Sequence, residues 1–316
     1  MKNKLLALLA AIGMVASASA VEINDNLSIG GFIDGSYNST EPDSGTDSSY
    51  IGIDEVEIDF MLNVGSVSGA VHLDDTNTSG GSEINIEQAH FTYTMDNGVS
   101  VTFGRYGSAL GFERQDPAGL YTYSRAYEGS GYDLGNVDAA SYEGIVFGFS
   151  GDDFSVAASI HESANANLET EDLNVELSAS YTGMENIVVG GGYMIDNRAG
   201  SANERDIFNV HAAYSAGKAL VAAEYISASD DDATAGEDAY MLLLDYDFND
   251  KMGGAVRYSK METTSTLDAT KLTIAPNYAI TDSLGAILEY SSVDVDTTSA
   301  TSADYDYMAV ELTYTF

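Results

Sequence analysis

Three carboxylates stand at every second position around residue 57, where an extended chain would place them on one face. Glu55, Glu57 and Asp59 share this face because successive side chains of a β-strand point to opposite sides. The opposite face is apolar and carries Val56, Ile58, Phe60 and Leu62. A surface with three carboxylates in a row has to be in contact with water, and it attracts cations.

The same parity argument assigns further charged side chains to water-facing positions, and acids far outnumber bases among them. The assigned residues are Asp34, Glu55, Glu57, Asp59, Asp74, Glu176, Asp196, Glu224, Asp245, Asp247, Glu289 and Glu311, with Arg257 and Lys271 as the bases. Carboxylates that line a narrow aqueous passage raise the local concentration of cations. We therefore expect these residues to form the wall of a pore whose partners are inorganic cations and small hydrophilic solutes.

The four histidines also fall on the water-facing side, where they could bind metal or act as bases. They are His72, His90, His161 and His211, and they belong to four separate segments without the spacing of a metal site. The acidic run 230–232 lacks the repeated spacing of a calcium loop. No nucleophile elbow, phosphate-binding loop or zinc helix motif occurs. The sequence predicts no catalytic residue, no metal and no cofactor.

Alternation of apolar and polar residues recurs along the chain and predicts about sixteen strands. Short connections are expected at 63–66, 95–98, 151–153, 183–186, 216–218, 249–251 and 281–283, and longer ones at 38–49, 162–172, 228–238 and 295–303. Short turns on one side and long loops on the other are typical of an outer-membrane barrel. The expected fold class is all-β, a transmembrane antiparallel up-and-down β-barrel of about 16 strands. A soluble β-sandwich would leave too little core between two such half-acidic sheets.

One long segment, residues 107–139, interrupts the strand pattern. It carries charges of both signs, namely Glu113, Arg114, Asp116, Arg125, Glu128 and Asp133. A long structured loop inserted once into a regular wall usually has a function. We expect this loop to fold into the barrel, to be pinned by ion pairs to the wall and to itself, and to set the width of the pore.

Composition and the N-terminus limit the remaining possibilities. The chain has 316 residues, no cysteine and a formal charge of −38, which argues against disulfides, thiolate metal sites and nucleic-acid binding. Lys2 and Lys4 precede an apolar run at 5–15, and Ala18-Ser19-Ala20 resembles a cleavage site. We expect residues 1–20 to be a signal peptide cleaved near Ala20, and residues 21–316 to form the barrel in the outer membrane and contact its lipid.

Taken together, the leader, the alternating barrel, a long third outer loop and a terminal Phe316 resemble the Gram-negative general porins across the whole mature chain. The stretch 103–127, with its Leu-Gly-Phe-Glu and Tyr-Ser elements, is similar to a segment of the OmpL-like porins. The resemblance implies a third loop that narrows the channel, a homotrimer, and Phe316 as a signal for the outer-membrane assembly machinery. The wall lacks the evident arginine ladder of the general porins.

Several functions remain to be compared for such a barrel. A diffusion porin requires polar loops and a polar lumen, which the sequence provides, whereas an outer-membrane hydrolase requires a converging Ser or Asp and His. A structural or adhesive barrel would be too narrow to conduct, and sixteen strands argue against it. A substrate-specific channel would use an aromatic track, for which Tyr121, Tyr123 and Tyr127 are candidates. We expect a diffusion porin and no enzyme.

Overall fold

In the computed structural model, strands pair with their neighbours in sequence around the whole molecule, and the last strand returns to the first long one. The structure describes residues 20–76, 84–113, 116–127, 141–162, 173–197, 204–230, 236–263, 267–297 and 304–316. Every pairing between these strands is antiparallel, and β-hairpins of this kind need only short connections. Among the described residues, no helix is long and apolar enough to cross a membrane.

The strands, in chain order, are β1 (Val21–Asn24), β2 (Leu27–Pro42), β3 (Ser48–Val64), β4 (Val67–Thr76), β5 (Asn85–Thr94), β6 (Val99–Gly107), β7 (Ser141–Ser150), β8 (Phe154–Glu162), β9 (Leu173–Met184), β10 (Ile187–Asp196), β11 (Arg205–Ala216), β12 (Ala219–Asp230), β13 (Gly236–Asp247), β14 (Met252–Thr263), β15 (Leu267–Ala279), β16 (Leu284–Thr297) and β17 (Tyr305–Thr315). Strands β2 to β17 pair in sequence, and β17 pairs back with β2, so sixteen strands close a barrel. This confirms the fold class expected from the sequence.

The short strand β1 is an addition that the sequence pattern does not predict. It pairs with the start of β2, where Val21 lies opposite Ile29. The end of β17 pairs with the same strand two residues further on, and Gly31 and Phe316 exchange backbone hydrogen bonds of 3.1 Å in both directions. Strand β1 and the end of β17 therefore lie one after the other along β2. Four residues are too few for alternation to be recognised.

The connections between strands divide into short and long ones as the sequence predicts, but the strands continue into some of the predicted long connections. The turn 95–98 lies between β5 and β6, as the sequence predicts. Strand β2 continues to Pro42 and β3 begins at Ser48, so the predicted connection 38–49 is shorter than expected, and the one at 228–238 is too. Polar residues pair there because barrel strands extend beyond the apolar band, where outward positions need not be hydrophobic.

The outer surface carries the apolar residues that the parity argument places there. Exposed side chains on neighbouring strands include Phe154, Val156, Leu177, Tyr181, Phe208, Val210, Leu242, Leu244, Val256, Tyr258, Leu272 and Ile274. Tyrosines end several of these faces, as in an interfacial aromatic girdle. The residues between the outward positions point to the interior of the barrel.

A β-bulge on β3 reverses the alternation at Asp54. Asp34 of β2 pairs with Glu55, but the next residue, Gly35, pairs with Ile53, so that Asp54 is the extra residue. Ile53 is therefore exposed on the outside, and the strand returns to the correct parity for Glu55 to face inward.

A second bulge does the same on β5. His72 of β4 pairs with Gln88, whereas Leu73 pairs with Ile86, which leaves Glu87 as the extra residue. Ile86 is exposed on the outside and Gln88 is buried inside. Each bulge thus adds one carboxylate to a strand without moving the apolar residues from the outer face.

The hydrophobic core lies inside the barrel, between the long loop and the inner face of β10–β15. Its buried wall members include Met194, Ile207, Ile226, Met241 and Leu243, and its loop members include Leu110, Phe112, Tyr121, Ala126 and Tyr127. Leu110 and Leu243 are completely buried, and burial of one such side chain stabilises by about 2 kcal/mol. The sequence signal for this patch is the uninterrupted apolar run 241–244, which is typical of a strand covered on both faces.

Single cysteines test the bulge on β3, because the chain has no cysteine of its own. We expect Ile53→Cys and Val56→Cys both to react with a lipid-soluble maleimide, and Asp54→Cys to react with a water-soluble cationic thiosulfonate. A regular strand would place positions 53 and 56 on opposite faces. Opposite reagent preferences at these two positions would contradict the bulge.

Candidate functional site

The first contact between the long loop and the wall is made where the chain leaves β6. Ser108 donates its hydroxyl hydrogen to Glu176 Oε2 at 2.7 Å, and the backbone N–H of Ala109 donates to Glu176 Oε1 at 2.8 Å. Glu176 lies on β9 and is buried. Both carboxylate oxygens are thus satisfied by loop donors, which such a buried charge requires.

One step further along the wall, Glu224 on β12 holds the next turn of the loop. The backbone N–H of Phe112 donates to Glu224 Oε1 at 2.6 Å, and Asn209 on β11 donates to the same oxygen at 2.8 Å. Asn209 in turn accepts a hydrogen bond of 3.3 Å from the backbone N–H of Gly111. Gly111 has φ of 95°, a conformation that favours glycine.

Arg257 on β14 is the centre of the loop attachment. Its Nη1 lies 2.6 Å from Glu113 Oε1 and 2.6 Å from Thr122 Oγ1, and its Nη2 donates to Ser124 Oγ at 3.2 Å. The side chains of Arg257 and Glu113 are 0% and 2% exposed, so this ion pair is almost free of water. Glu113 Oε2 also accepts from the backbone N–H of Ala126 at 2.7 Å, which joins the two described ends of the loop.

Ser124 forms the last part of this attachment. Its backbone N–H donates to Glu289 Oε2 on β16 at 3.0 Å, and its hydroxyl donates to the other carboxylate oxygen. Lys271 on β15 donates to Ser124 Oγ at 2.6 Å and to the carbonyl of Arg125 at 3.2 Å. We call Glu176, Asn209, Glu224, Arg257, Lys271 and Glu289 the loop-bearing wall.

Ion pairs, which the sequence predicts, account for only part of the attachment of the loop to the wall. The Glu113–Arg257 pair is one, and the Arg125 guanidinium additionally donates to the backbone carbonyl of Glu113. Glu176, Glu224 and Glu289 instead accept from backbone N–H groups and hydroxyls. The apolar cluster supplies the remaining contact.

The opposite part of the wall carries carboxylates with a different environment. We call this group the acidic wall; its members, on β17 and β2–β5, are Asp34, Asp54, Glu55, Glu57, Asp59, Asp74, Glu87 and Glu311. Buried oxygens of Asp34, Glu57, Asp59, Asp74, Glu87 and Glu311 accept no hydrogen bond from the described residues. His72 contacts this group through Nδ1, which lies 2.9 Å from Glu57 Oε1.

The loop reaches the acidic wall at two points. Tyr123 shares a hydrogen bond of 3.0 Å with Ser36, accepts one of 3.2 Å from Asn38 and donates to Asp54 Oδ2 at 3.3 Å. Asp116 lies within 4.8 Å of carboxylate oxygens on β3 and β5. Burial raises the pKa of Asp116, which lies in the loop outside the strands.

Most residues that the sequence assigns to the pore do face the interior. The buried ones are Asp34, Glu57, Asp59, Glu176, Glu224, Arg257, Lys271, Glu289 and Glu311, and the half-buried ones are Glu55, Asp74, Asp196 and Asp245. Asp247 is exposed at the end of β13. Three predicted loop residues, Arg114, Glu128 and Asp133, lie outside the described residues, so the position of the whole segment 107–139 stays a prediction.

Sequence reasoning missed two kinds of site residue. Asp54 and Glu87 belong to bulges, and no local signal marks a single extra residue in a strand. Asn209 and Ser124 are uncharged, and the parity argument considered charges only. The division of the carboxylates between the loop-bearing and acidic walls depends on where the loop lies, which one strand's pattern does not reveal.

Comparison with known proteins gives a family and a fold. The family profile described as Gram-negative porin matches residues 6–298, whereas no curated protein matches the chain directly. An anion-selective porin from Comamonas acidovorans superposes with a TM-score of 0.71 at 11% identity, over 92% of this chain and 99% of that one.

Two further solved structures are similar at low identity. OmpF of Salmonella typhi, in complex with daunomycin, has a TM-score of 0.68 at 13% identity, over 94% of this chain and 100% of that one. The trimer form of in-vitro folded OmpT, an outer membrane protein of Vibrio cholerae, has a TM-score of 0.63 at 16% identity, over 92% and 100%. At such identities these likenesses show the fold alone.

Removal of Arg257 tests the loop attachment. We expect Arg257→Met to lower the free energy of unfolding by about 3 to 5 kcal/mol, because Glu113 is left as a buried charge without its partner. The double variant Glu113→Gln/Arg257→Met should recover part of the loss. Denaturant titration in detergent micelles measures both.

The matched control is Lys260→Met, which removes the ion pair with Glu262 at the surface. We expect little change there, because exposed ion pairs contribute little. Equal losses for Arg257→Met and Lys260→Met, or no recovery in the double variant, would contradict the role of Arg257.

Proposed function

This chain belongs to the Gram-negative porin family, whose members are outer-membrane channels, and from that premise we propose that it is a water-filled pore for passive diffusion that favours cations. Its solutes are inorganic ions and small hydrophilic molecules. The observation that carries the cation preference is the acidic wall, whose carboxylates stand on β17 and β2–β5 apart from the loop attachment.

The bases expected in the pore are occupied elsewhere. Arg257 is completely buried against Glu113 and two hydroxyls, and Lys271 is buried against Ser124 and a backbone carbonyl. The charge of Arg257 is balanced by its ion pair with Glu113, whereas no described lysine or arginine nitrogen lies within 4.0 Å of a carboxylate oxygen of the acidic wall. The potential of the open passage is then set mainly by carboxylates and is negative.

Fold alone does not determine ion preference. The Comamonas acidovorans porin shares the barrel and is described as anion-selective. The preference of this chain therefore depends on its own side chains, and its formal charge of −38 agrees in sign with the acidic wall.

A substrate-specific channel is the second candidate, and its aromatic track would consist of Tyr121, Tyr123 and Tyr127. Each has a contact that fits an anchor: Tyr121 stacks on Phe112 with ring centroids 6.4 Å apart, Tyr123 is bonded to β2 and β3, and Tyr127 is buried. These contacts favour general diffusion. Membership in a family of channels also argues against the hydrolase alternative.

A homotrimer and an assembly role for Phe316 belong to the same proposal. OmpT of Vibrio cholerae, with the same fold, occurs in a trimer form. Phe316 continues β17, its ring stacks on Tyr314 with centroids 5.9 Å apart, and its backbone pairs with Gly31. A terminal aromatic residue held in the last strand is accessible to the assembly machinery before the barrel closes.

Deletion of residues 113–128 tests whether the loop is the constriction. We expect a higher single-channel conductance in a planar bilayer, because the wall beneath the loop becomes wet and the aqueous passage widens. Folding of the variant is checked by the mobility of the unheated barrel in gels. A folded variant with unchanged conductance would show that the narrowest point lies elsewhere.

Reversal potentials in a potassium chloride gradient test the preference itself. We expect the wild-type channel to pass potassium in preference to chloride, and the preference to shrink as the Debye length falls from ~10 Å at 0.1 M salt to ~3 Å at 1 M. The triple variant Glu55→Gln/Glu57→Gln/Asp59→Asn should approach equal permeability. All solutions contain a chelator, so that divalent ions play no part.

The control removes the same number of charges from exposed turns, as Glu185→Gln/Asp250→Asn/Asp282→Asn. We expect it to keep most of the cation preference. A wild-type channel that prefers chloride, or equal effects of the two triple variants, would contradict the acidic wall as its source.

A further inference from the structure

Three carboxylates of the acidic wall converge around one histidine nitrogen. His72 Nδ1 lies 2.9 Å from Glu57 Oε1, 3.2 Å from Asp59 Oδ1 and 3.9 Å from Glu87 Oε2. One ligand atom from each of Glu57, Asp59 and His72 lies within 4.8 Å of the others. The residues come from β3, β4 and the bulge of β5, so three neighbouring strands contribute.

The long loop adds a fifth member to this group. Oxygens of Glu57, Glu87 and Asp116 also lie within 4.8 Å of one another, and Glu57 belongs to both sets. Pro117 follows Asp116 directly and begins a single 3₁₀ turn, Pro117–Gly119, which fixes the chain beside the carboxylate. Wall and loop thus present ligand atoms to the same small volume.

These atoms are buried and lack other partners among the described residues. Glu57 is 0% exposed, and neither of its oxygens accepts a hydrogen bond. Asp59 Oδ1, Glu87 Oε2 and His72 Nδ1 have no hydrogen-bond partner either, because the short contacts between the imidazole and the carboxylates do not have hydrogen-bond geometry. No described lysine or arginine nitrogen lies within 4.0 Å of Glu57 or Asp59. Burial of a carboxylate away from water costs several kcal/mol per ion in desolvation unless a cation compensates its charge.

We propose that Glu57, Asp59 and His72 bind a divalent first-row transition-metal ion, with Glu87 and Asp116 as further ligands. Imidazole nitrogen is a good ligand for zinc, copper, iron and nickel, and carboxylate oxygen suits manganese. Ligands bound to one zinc ion at ~2.1 Å are at most roughly 4.2 Å apart. Small shifts bring the ligand atoms of Glu57, Asp59 and His72, which lie within 4.8 Å of one another, to this spacing, and Glu87 and Asp116, which form a second group with Glu57, complete the site by larger shifts.

The bridge to Asp116 gives the bound ion a consequence for the pore. It ties the loop to the acidic wall, on the side of the passage away from the Arg257 attachment, and it neutralises part of the negative potential. Bound metal then lowers potassium conductance and weakens the preference for potassium. The site depends on its ligands and is independent of whether the metal-free channel prefers cations.

Binding is tested with the full-length folded protein after removal of metal by a chelator. We expect titration with Zn²⁺, followed by calorimetry and elemental analysis, to give one ion per chain. His72→Gln should weaken binding at least ~10-fold, the lower end of the effect seen even for residues that only support a metal ligand. Asp59→Asn should weaken it as well and serves as the second variant if His72→Gln does not fold.

His161→Gln is the matched control. His161 is also a buried histidine inside the barrel, but it lies on β8, stacked on Tyr142 with centroids 4.1 Å apart and with Nδ1 3.1 Å from Ser159 Oγ. We expect its zinc affinity to equal that of the wild type. Equal losses in His72→Gln and His161→Gln would overturn the site, because the metal would then bind elsewhere or unspecifically.

Conductance supplies the readout for the bridge. Micromolar Zn²⁺ should reduce the potassium conductance of the wild type, whereas Asp116→Asn, compared with its own conductance in chelator, should not respond to Zn²⁺. Absence of Zn²⁺ binding in the wild type would overturn the proposal and indicate carboxyl groups that share protons. Ca²⁺ binding of equal affinity that does not depend on His72 would overturn the assignment to transition metals.

Discussion

Burial of charged groups under the long loop is the constraint on which the interior of this barrel depends. Glu176, Glu224 and Glu289 are carboxylates on a wall that water does not reach, and each would be strongly destabilising alone. The loop provides the compensation with backbone N–H groups and hydroxyls, while Arg257 neutralises Glu113, a carboxylate of the loop itself. Wall and loop therefore satisfy each other, and in this position of the loop each of these carboxylates has a partner.

That position divides the interior into two unlike halves. Strands β9–β16 support the loop through hydrogen bonds, the Arg257 ion pair and an apolar cluster, and Arg257 and Lys271 are used there. Strands β17 and β2–β5 keep their carboxylates on the other side of the passage, with His72 among them. The negative potential that we propose for the pore follows from where the loop is bound, because Arg257 and Lys271 are used in the attachment and the carboxylates of the acidic wall stand opposite.

Alternation along the strands was sufficient to predict the barrel and the direction of most side chains, since one apolar and one polar face per strand leave a single arrangement in lipid. Phe154 and Leu242 outside, and Glu57 and Glu311 inside, lie where the period of two places them. The bulges were not predictable, because one additional residue such as Asp54 changes parity without changing composition. The use of each carboxylate was also not predictable: Glu224 and Glu57 have the same parity, and only the path of the loop makes one an acceptor for backbone N–H groups and leaves the other without a donor.

The most direct test of this division compares the reactivity of two inward-facing positions, Glu55 on β3 and Ser291 on β16. Ser291 is completely buried beneath the loop attachment, where it donates to Glu289, whereas Glu55 is half-buried in the acidic wall. With single cysteines, the account predicts that a cationic thiosulfonate added to the open channel modifies position 55 rapidly and lowers the conductance. Position 291 should stay unmodified. Comparable rates of modification at both positions would contradict it, because the loop would then not cover the strands that hold it.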